Sequence, residues 1–180
     1  MSRINKELRK LNGLGAIRHD ERLSSAILEI TKRYHINVLF VKRKNLLKVC
    51  TELFCNIDEA NDFVNGFIED IYFHDGIKGM FSVVKTNEMN QYEHLPYNNC
   101  IFVIEEDDTI DFDVMLLHEI GHIVNHTLDE SIADSYCMEQ LNDDKRFCDW
   151  ISGVYKSMKE SNPDMEWDDE YVHRYLYLND

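Results

Sequence analysis

Long apolar runs are missing from this sequence. No stretch of its 180 residues approaches the roughly 20 apolar residues that a helix needs to cross a bilayer. Its first residues, MSRINKELRKLNG, are charged and contain no apolar core, so we expect no signal peptide. The five cysteines are odd in number and include no CxxC pair. These absences predict a reduced, soluble, cytoplasmic protein without a membrane partner.

Basic residues are scarce. The chain has 19 Lys and Arg against 34 Asp and Glu, a net charge of -15. Phosphate neutralisation requires clustered Lys and Arg, so no direct nucleic-acid binding is expected. The excess of acidic over basic residues is concentrated in residues 105–180, which carry 21 acidic and 5 basic side chains. A solvated acidic face explains this most simply, and attraction of a basic partner or peptide segment is the alternative.

Repeats, low-complexity linkers and internal domain boundaries are also missing. With 44% apolar residues, a chain of this length can bury a core. We therefore predict one metallopeptidase-like domain over residues 20–180, with an acidic helical C-terminal part at about 142–180. Residues 1–19 are basic and are predicted to form an arm or a short helix.

Apolar periodicity predicts helices and short strands in an α+β order. Helical spacing covers residues 20–35, 58–74, 112–127, 129–141, 143–160 and 165–178. β-branched runs predict strands at residues 36–41, 79–86 and 99–106, while residues 46–55 are ambiguous. The expected fold is mostly helical, with a small mixed or antiparallel sheet packed on the central helix.

That central helix contains HEIGH. Positions i and i+4 share one helix face, so His118 and His122 can direct their imidazoles at one metal ion. Glu119 lies about 100° further around the helix, where it can act as general base on a water molecule at the metal. In a random chain of this length and composition, the expected number of such patterns, two histidines four apart with a glutamate after the first, is about 0.03. Gly121 predicts the close approach of a substrate-binding or covering strand.

A catalytic zinc ion requires a third protein ligand and one open position. We predict Glu130 as that ligand, with Asp134 or Asp129 as substitutes. Asp134, four residues after Glu130, is expected to accept a hydrogen bond from the outer nitrogen of a ligating histidine. The competing interpretation of Glu130 is a capping box with Thr127 at the start of the next helix.

Further residues are candidates for binding the substrate and the transition state. Tyr136, Tyr171 and His173 are weak candidates for stabilising the oxyanion. The run Ile101 to Ile104 is predicted to be an edge strand beside which an extended peptide binds through main-chain hydrogen bonds. The reaction that this set favours is zinc-assisted peptide hydrolysis.

HEIGHIVNH followed by DESIADSY resembles the ImmA/IrrE family of zinc metallo-endopeptidases. Members carry HExxH on one helix and a glutamate in an E-x-x-A-[ND] pattern on the next. The segments NCIFVIEEDD and KRYHINV are similar as well, so the resemblance covers about residues 20–141. It implies a zincin-like fold, Zn²⁺ at His118, His122 and Glu130, and Glu119 as the catalytic base.

Members of that family act in the cytoplasm of bacteria, their phages or mobile elements, on a transcriptional repressor supplied in trans or fused to them. The resemblance therefore implies a protein substrate, a repressor or other regulator. No helix-turn-helix pattern is visible here, so DNA contact is expected only through the partner.

The alternative hypothesis is a zinc-binding protein that inactivates a repressor or host factor by docking on it, without proteolysis. A purely structural zinc site is disfavoured, because such sites usually have four protein ligands, often cysteines.

Overall fold

Seven helices and four short strands make up the part of the chain that the computed structural model describes, residues 3–54, 56–72, 80–83, 99–105 and 111–161. The helices are α1 (Arg3–Leu14), α2 (Ser25–Arg33), α3 (Arg43–Phe54), α4 (Ile57–Tyr72), α5 (Phe112–Asn125), α6 (Glu130–Leu141) and α7 (Asp144–Ser161). The strands are β1 (Ala16–Arg18), β2 (Asn37–Lys42), β3 (Met80–Val83) and β4 (Cys100–Glu105), and a 3-10 helix spans Asp20–Arg22. The predicted class, a mostly helical α+β fold with a small mixed sheet, is confirmed.

The four strands form one sheet in the order β1-β2-β4-β3. β2 and β4 are parallel, with Asn37 opposite Cys100, whereas β1 pairs antiparallel to β2 and β3 antiparallel to β4. The prediction that Ile101 to Ile104 lie in an edge strand is wrong, because β4 is hydrogen-bonded on both sides. Among the described strands, the edges are β1 and β3.

The sheet separates two apolar clusters. Alternate side chains of β2 and β4, such as Phe40 and Val103, face a cluster that includes α5 residues Val114 and Ile120. The intervening side chains face a second cluster with α1, α3 and α4. The sequences of β2 and β4 are therefore continuously apolar rather than alternating, since both faces of these strands are buried.

The N-terminal segment contributes Leu11 and Ala16 to this core. Of the two predictions for the N-terminal segment, the short helix is found, and Leu11 of α1 is 0% exposed. Gly15 has a φ of +98°, which an L side chain rarely adopts, and makes the turn from α1 into β1. The strand β1 was not predicted, because three residues are too few to show a period of two.

Other helix boundaries differ modestly from the expected ones. The helix predicted over residues 20–35 is divided, since Ser24 caps α2 by accepting a hydrogen bond from the N–H of Ile27 at 3.4 Å. The ambiguous residues 46–55 lie mostly in α3, whose Leu46, Val49 and Leu53 are buried at helical spacing. The helix expected at residues 165–178 lies outside the described residues.

The helix that carries HEIGH is anchored at both ends. At its start, the Asp111 carboxylate accepts the N–H of Val114 at 3.3 Å and pairs with two N–H groups of Arg146 from α7. At its end, His126 adopts a left-handed conformation, and the N–H of Thr127 donates to the carbonyl of His122 at 3.1 Å. This geometry is a Schellman motif, which turns the chain towards α6.

Candidate metal centre

Three predicted ligands converge in the folded chain. The Nε2 atoms of His118 and His122 are 3.1 Å apart. The Glu130 carboxylate oxygens lie 3.1 Å from Nε2 of His118 and 3.5 Å from Nε2 of His122. In the part of the chain that the structure describes, this is the one group of three His, Cys, Asp or Glu residues that can hold a metal ion.

These separations match tetrahedral zinc coordination. Two ligand atoms at 2.0–2.1 Å from zinc, with a tetrahedral angle between them, are about 3.3 Å apart. The observed distances of 3.1, 3.1 and 3.5 Å lie on either side of that value, and the two from Glu130 are made by its two different carboxylate oxygens. Both histidines are buried, while Glu130 is one third exposed, so solvent reaches the cluster from the Glu130 side.

The outer nitrogens are held in the orientation that metal ligation requires. Nδ1 of His122 lies 3.2 Å from the carbonyl oxygen of Thr127, which only accepts hydrogen bonds, so Nδ1 carries the proton. Nδ1 of His118 donates to the carboxylate of Asp134 at 2.8 Å. In each neutral ring the lone pair is therefore on Nε2, facing the cluster. The hydrogen bond predicted for Asp134 is present, and its role in orienting a metal ligand stays a prediction.

The start of α6 leaves the Glu130 carboxylate available to the histidines. Asp129, not Thr127, is the N-cap, and its carboxylate accepts the N–H groups of Ser131 and Ile132 at 2.9 and 3.4 Å. Glu130 is consequently the first residue of the helix rather than the third. The capping-box alternative for Glu130 is thereby wrong, because that motif requires the glutamate at the third position.

Close packing of α5 on α6 brings the ligands together. A Cβ on Gly121 would lie 2.9 Å from both Cα and O of Ala133, nearer than real Cβ atoms approach. The neighbour that Gly121 admits is thus the backbone of α6, and the predicted covering strand is not what lies there. His118 and His122 on α5 can therefore meet Glu130 and Asp134 on α6.

The cluster stabilises positive charge. Burial by itself lowers the pKa of His118, but hydrogen bonds to the carboxylates of Asp134 and Glu130 outweigh it and raise the pKa to about 9. The charge of Glu119 adds to the increase. A proton and a divalent cation are alternatives at this position, so binding of a metal ion here would release protons.

The structure says less about the other residues that were predicted to take part in the site. Glu119 is half-buried on α5, on the side adjacent to His118. Tyr136 lies on α6, and its pKa is raised to about 12 by burial and then by Tyr34, a residue that is not part of the cluster. Tyr171 and His173 lie outside the described residues. A role in the reaction for Tyr136, Tyr171 or His173 stays a prediction.

Two contacts were missed by sequence reasoning. The carbonyl of Thr127 is a backbone group, and only the left-handed residue His126 directs it at His122. Trp150 of α7 packs on the ring of His118, with ring centroids 5.6 Å apart. Phe147 and Trp150 are three residues apart and both buried, but no local pattern identifies the histidine as a neighbour of this face.

Comparisons of this chain with protein-family models, curated proteins and solved structures find no match. The case for a metal site consequently depends on the HEIGH spacing and on the geometry above. Among the described helices, none has the length and apolar character needed to span a membrane.

Proposed function

We propose that this chain is a zinc-dependent endopeptidase that acts on a protein partner. The observation that carries the proposal is the convergence of two imidazole nitrogens and one carboxylate at tetrahedral spacing, with both outer imidazole nitrogens already donating hydrogen bonds. Three protein ligands leave one coordination position open, which is the pattern of catalytic rather than structural zinc sites.

His118, His122 and Glu130 would hold the ion. Bound zinc would supply Lewis acidity, lowering the pKa of a water molecule to about 7 and polarising the scissile carbonyl. Asp134 and the Thr127 carbonyl keep the two rings oriented. Trp150 and the buried face of α5 keep water away from one side of His118.

Glu119 is the residue that moves the proton. It accepts a proton from the attacking water and passes it to the nitrogen of the leaving amine, so that no free base is needed at neutral pH. Its place directly after His118 supports this role, because α5 is anchored at both ends and the charge of Glu119 acts on His118, whose pKa it helps to raise. A rigid mount of this kind favours catalysis by positioning.

The resemblance to the ImmA/IrrE family adds a substrate class to the proposal. HEIGH on α5, the E-x-x-A-D pattern on α6 and a mixed sheet behind α5 support a zincin-like fold of that type. The proposed substrate is a transcriptional repressor or another regulator of a phage or mobile element, and the proposed location is the bacterial cytoplasm.

The metal is tested first. Purified wild-type protein is compared with His122→Ala by elemental analysis after incubation with zinc and dialysis against zinc-free buffer. We expect one zinc per wild-type chain and none in the variant, because two remaining ligands do not retain the ion. A wild-type chain that retains no zinc would contradict the proposal.

The reaction is tested with Glu119→Gln. We expect this variant to keep zinc and to lose about 10²–10⁴-fold in the rate of cleavage of a fluorescein-labelled unfolded polypeptide, since a general base contributes that much. Glu139→Gln is the matched control, because Glu139 is exposed on α6 and outside the cluster. If wild type and Glu119→Gln inactivate a protein partner equally well, the docking alternative replaces the enzyme.

A further inference from the structure

We propose that a cleft beside the metal centre binds a basic peptide segment of the substrate, through its carboxylates and the indole N–H of Trp150. That the bound peptide belongs to a substrate rests on the proposed endopeptidase function. The binding itself does not depend on hydrolysis. The cleft has a volume of about 480 Å³ and lies between the start of α5 and the first turns of α7.

Carboxylates outnumber cations in the cleft lining. Its charged side chains are Asp111, Asp143, Asp149, Lys145 and Arg146. Asp113, 3.8 Å from Arg146, adds a further negative charge at the start of α5. The cleft thus lies in the acidic half of a chain whose net charge is -15, and it favours ligands that carry positive charge.

Two of these carboxylates already bind cationic side chains. Asp111 pairs with the guanidinium of Arg146, and Asp149 pairs with the ammonium group of Lys145. Asp143 accepts the backbone N–H of Arg146 at 3.0 Å and forms no ion pair with any described residue. A Lys or Arg side chain of a ligand would pair directly with Asp143, whereas Asp111 and Asp149 would first exchange their present partners.

Trp150 supplies a second and independent indication of a ligand. It is only 9% exposed, it lines the cleft, and its indole Nε1–H is buried without an acceptor among the described residues. An unpaired buried donor is unfavourable, so such groups are rare in folded proteins. A main-chain carbonyl of a peptide bound in the cleft would be the acceptor that this N–H lacks among the described residues. A peptide offers carbonyls and cationic side chains together, which a simple polyamine does not.

The same tryptophan links the cleft to the cluster. Its ring lies 5.6 Å from the ring of His118, between centroids, so a peptide that touches Trp150 lies one side chain away from a metal ligand. The cleft therefore selects which substrates are held near the ion. The residues of the cleft bind substrate and take no part in the proton transfers assigned to Glu119.

The test uses the full chain carrying Glu119→Gln, so that bound peptide is not hydrolysed. Two fluorescein-labelled probes are compared by fluorescence anisotropy, a repeated Ala-Lys-Ser-Arg peptide and a repeated Ala-Glu-Ser-Asp peptide. We expect the basic peptide to bind more tightly, with an affinity that falls as salt is added. Asp143→Asn combined with Asp149→Asn should weaken it by about three- to tenfold.

The variants are chosen to preserve the fold. Asn caps a helix as well as Asp does, so Asp143→Asn retains the start of α7. Glu29→Gln is the matched control, because Glu29 and Arg33 on α2 form an exposed i,i+4 pair like that of Lys145 and Asp149. Basic-peptide affinity that is unchanged by the double variant, or equal for the two probes, would overturn the proposal.

An NMR measurement locates the bound peptide. Trp167→Phe leaves Trp150 as the single tryptophan, so its indole N–H resonance is unambiguous. On adding the basic peptide we expect this resonance to move downfield and its hydrogen exchange to slow, as the N–H gains an acceptor. An unmoved resonance under saturating peptide places the binding elsewhere and refutes the cleft.

The two proposals fail separately. Cleavage of labelled polypeptides without any preference for basic segments refutes the cleft and leaves the endopeptidase intact. Binding of the basic peptide by a chain that holds no zinc refutes the endopeptidase and leaves the cleft as a binding site for basic segments.

Discussion

Asp134 determines which nitrogen of His118 faces the metal-binding cluster. Replacing it by alanine removes the carboxylate that accepts Nδ1–H at 2.8 Å. We expect Asp134→Ala to lower zinc affinity by about 10–100-fold, because the ring loses its fixed tautomer and orientation. Competition with a chromophoric chelator measures this, and Asp134→Asn, which keeps an acceptor oxygen, should lose less.

The adjacent residue provides the control. Ser135 is exposed, and its hydroxyl donates to the carbonyl of Ser131, so Ser135→Ala should leave zinc affinity unchanged. Unaltered affinity in Asp134→Ala would mean that packing against Trp150 alone orients His118.

Buried thiols predict a loss of stability in alkali. Burial raises the pKa of Cys100 from its usual 9.0 to about 12, and the same holds for Cys50 and Cys137. A pKa that is higher in the folded chain means that the stabilisation is complete below about pH 9 and is lost as pH rises towards 12. The free energy of unfolding, measured with urea, should fall less between about pH 8 and pH 11 for Cys100→Ala than for wild type. Equal differences would contradict this assignment.

The ligand residues themselves were predictable, because i,i+4 spacing on a helix needs no tertiary information. His118, His122 and Glu130 are brought together as that spacing and the E-x-x-A-D pattern indicated. The acceptor at Thr127 was not predictable, since every residue has a carbonyl and only backbone dihedrals direct one of them.

Gly121 sets the distance between α5 and α6. We expect Gly121→Ala to lower the free energy of unfolding by about 1–3 kcal/mol through overpacking, even though alanine favours helix by about 1 kcal/mol. The new Cβ would meet backbone atoms of Ala133 at 2.9 Å, so the helices must separate. Zinc affinity should fall as well, since the ligands are divided between the two helices. Urea unfolding and zinc competition measure the two effects.

Gly153 is the matched control for this substitution. It lies in α7, and a Cβ there meets nothing within 4 Å. Gly153→Ala should therefore stabilise the chain by up to about 1 kcal/mol through helix propensity and leave zinc affinity unchanged. A Gly121→Ala protein that behaves like Gly153→Ala would show that α5 and α6 tolerate a wider separation.

Element prediction succeeded where the periodic signal was long. α5, α6 and α7 were expected within a few residues of their ends, because apolar spacing and breakers define them locally. The interior position of β4 could not be inferred, since an apolar run identifies a buried strand without its neighbours. β2, β3 and β4 are far apart in sequence, and only packing decides their order.

For the whole molecule, zinc should act as a folding ligand. The proposed ligands come from two helices and meet only in the folded chain, so we expect zinc to bind the native state and to raise its stability by about 2.7 kcal/mol at a hundredfold excess over Kd. Thermal unfolding with zinc and with added chelator should give a higher Tm in zinc. His122→Ala should show no such difference, and a chelator-independent wild-type Tm would contradict zinc binding at this cluster.

The amino-acid sequence by itself determined the donor set, its helical spacing and the concentration of negative charge in residues 105–180, because these depend on composition and on neighbours within a few turns. Only the tertiary structure decided that β4 lies inside the sheet, that Gly121 meets Ala133, and that Trp150 packs on His118. The physical reason is the distance along the chain over which each interaction acts. Helix periodicity acts over four residues, whereas close packing selects partners from any part of the chain.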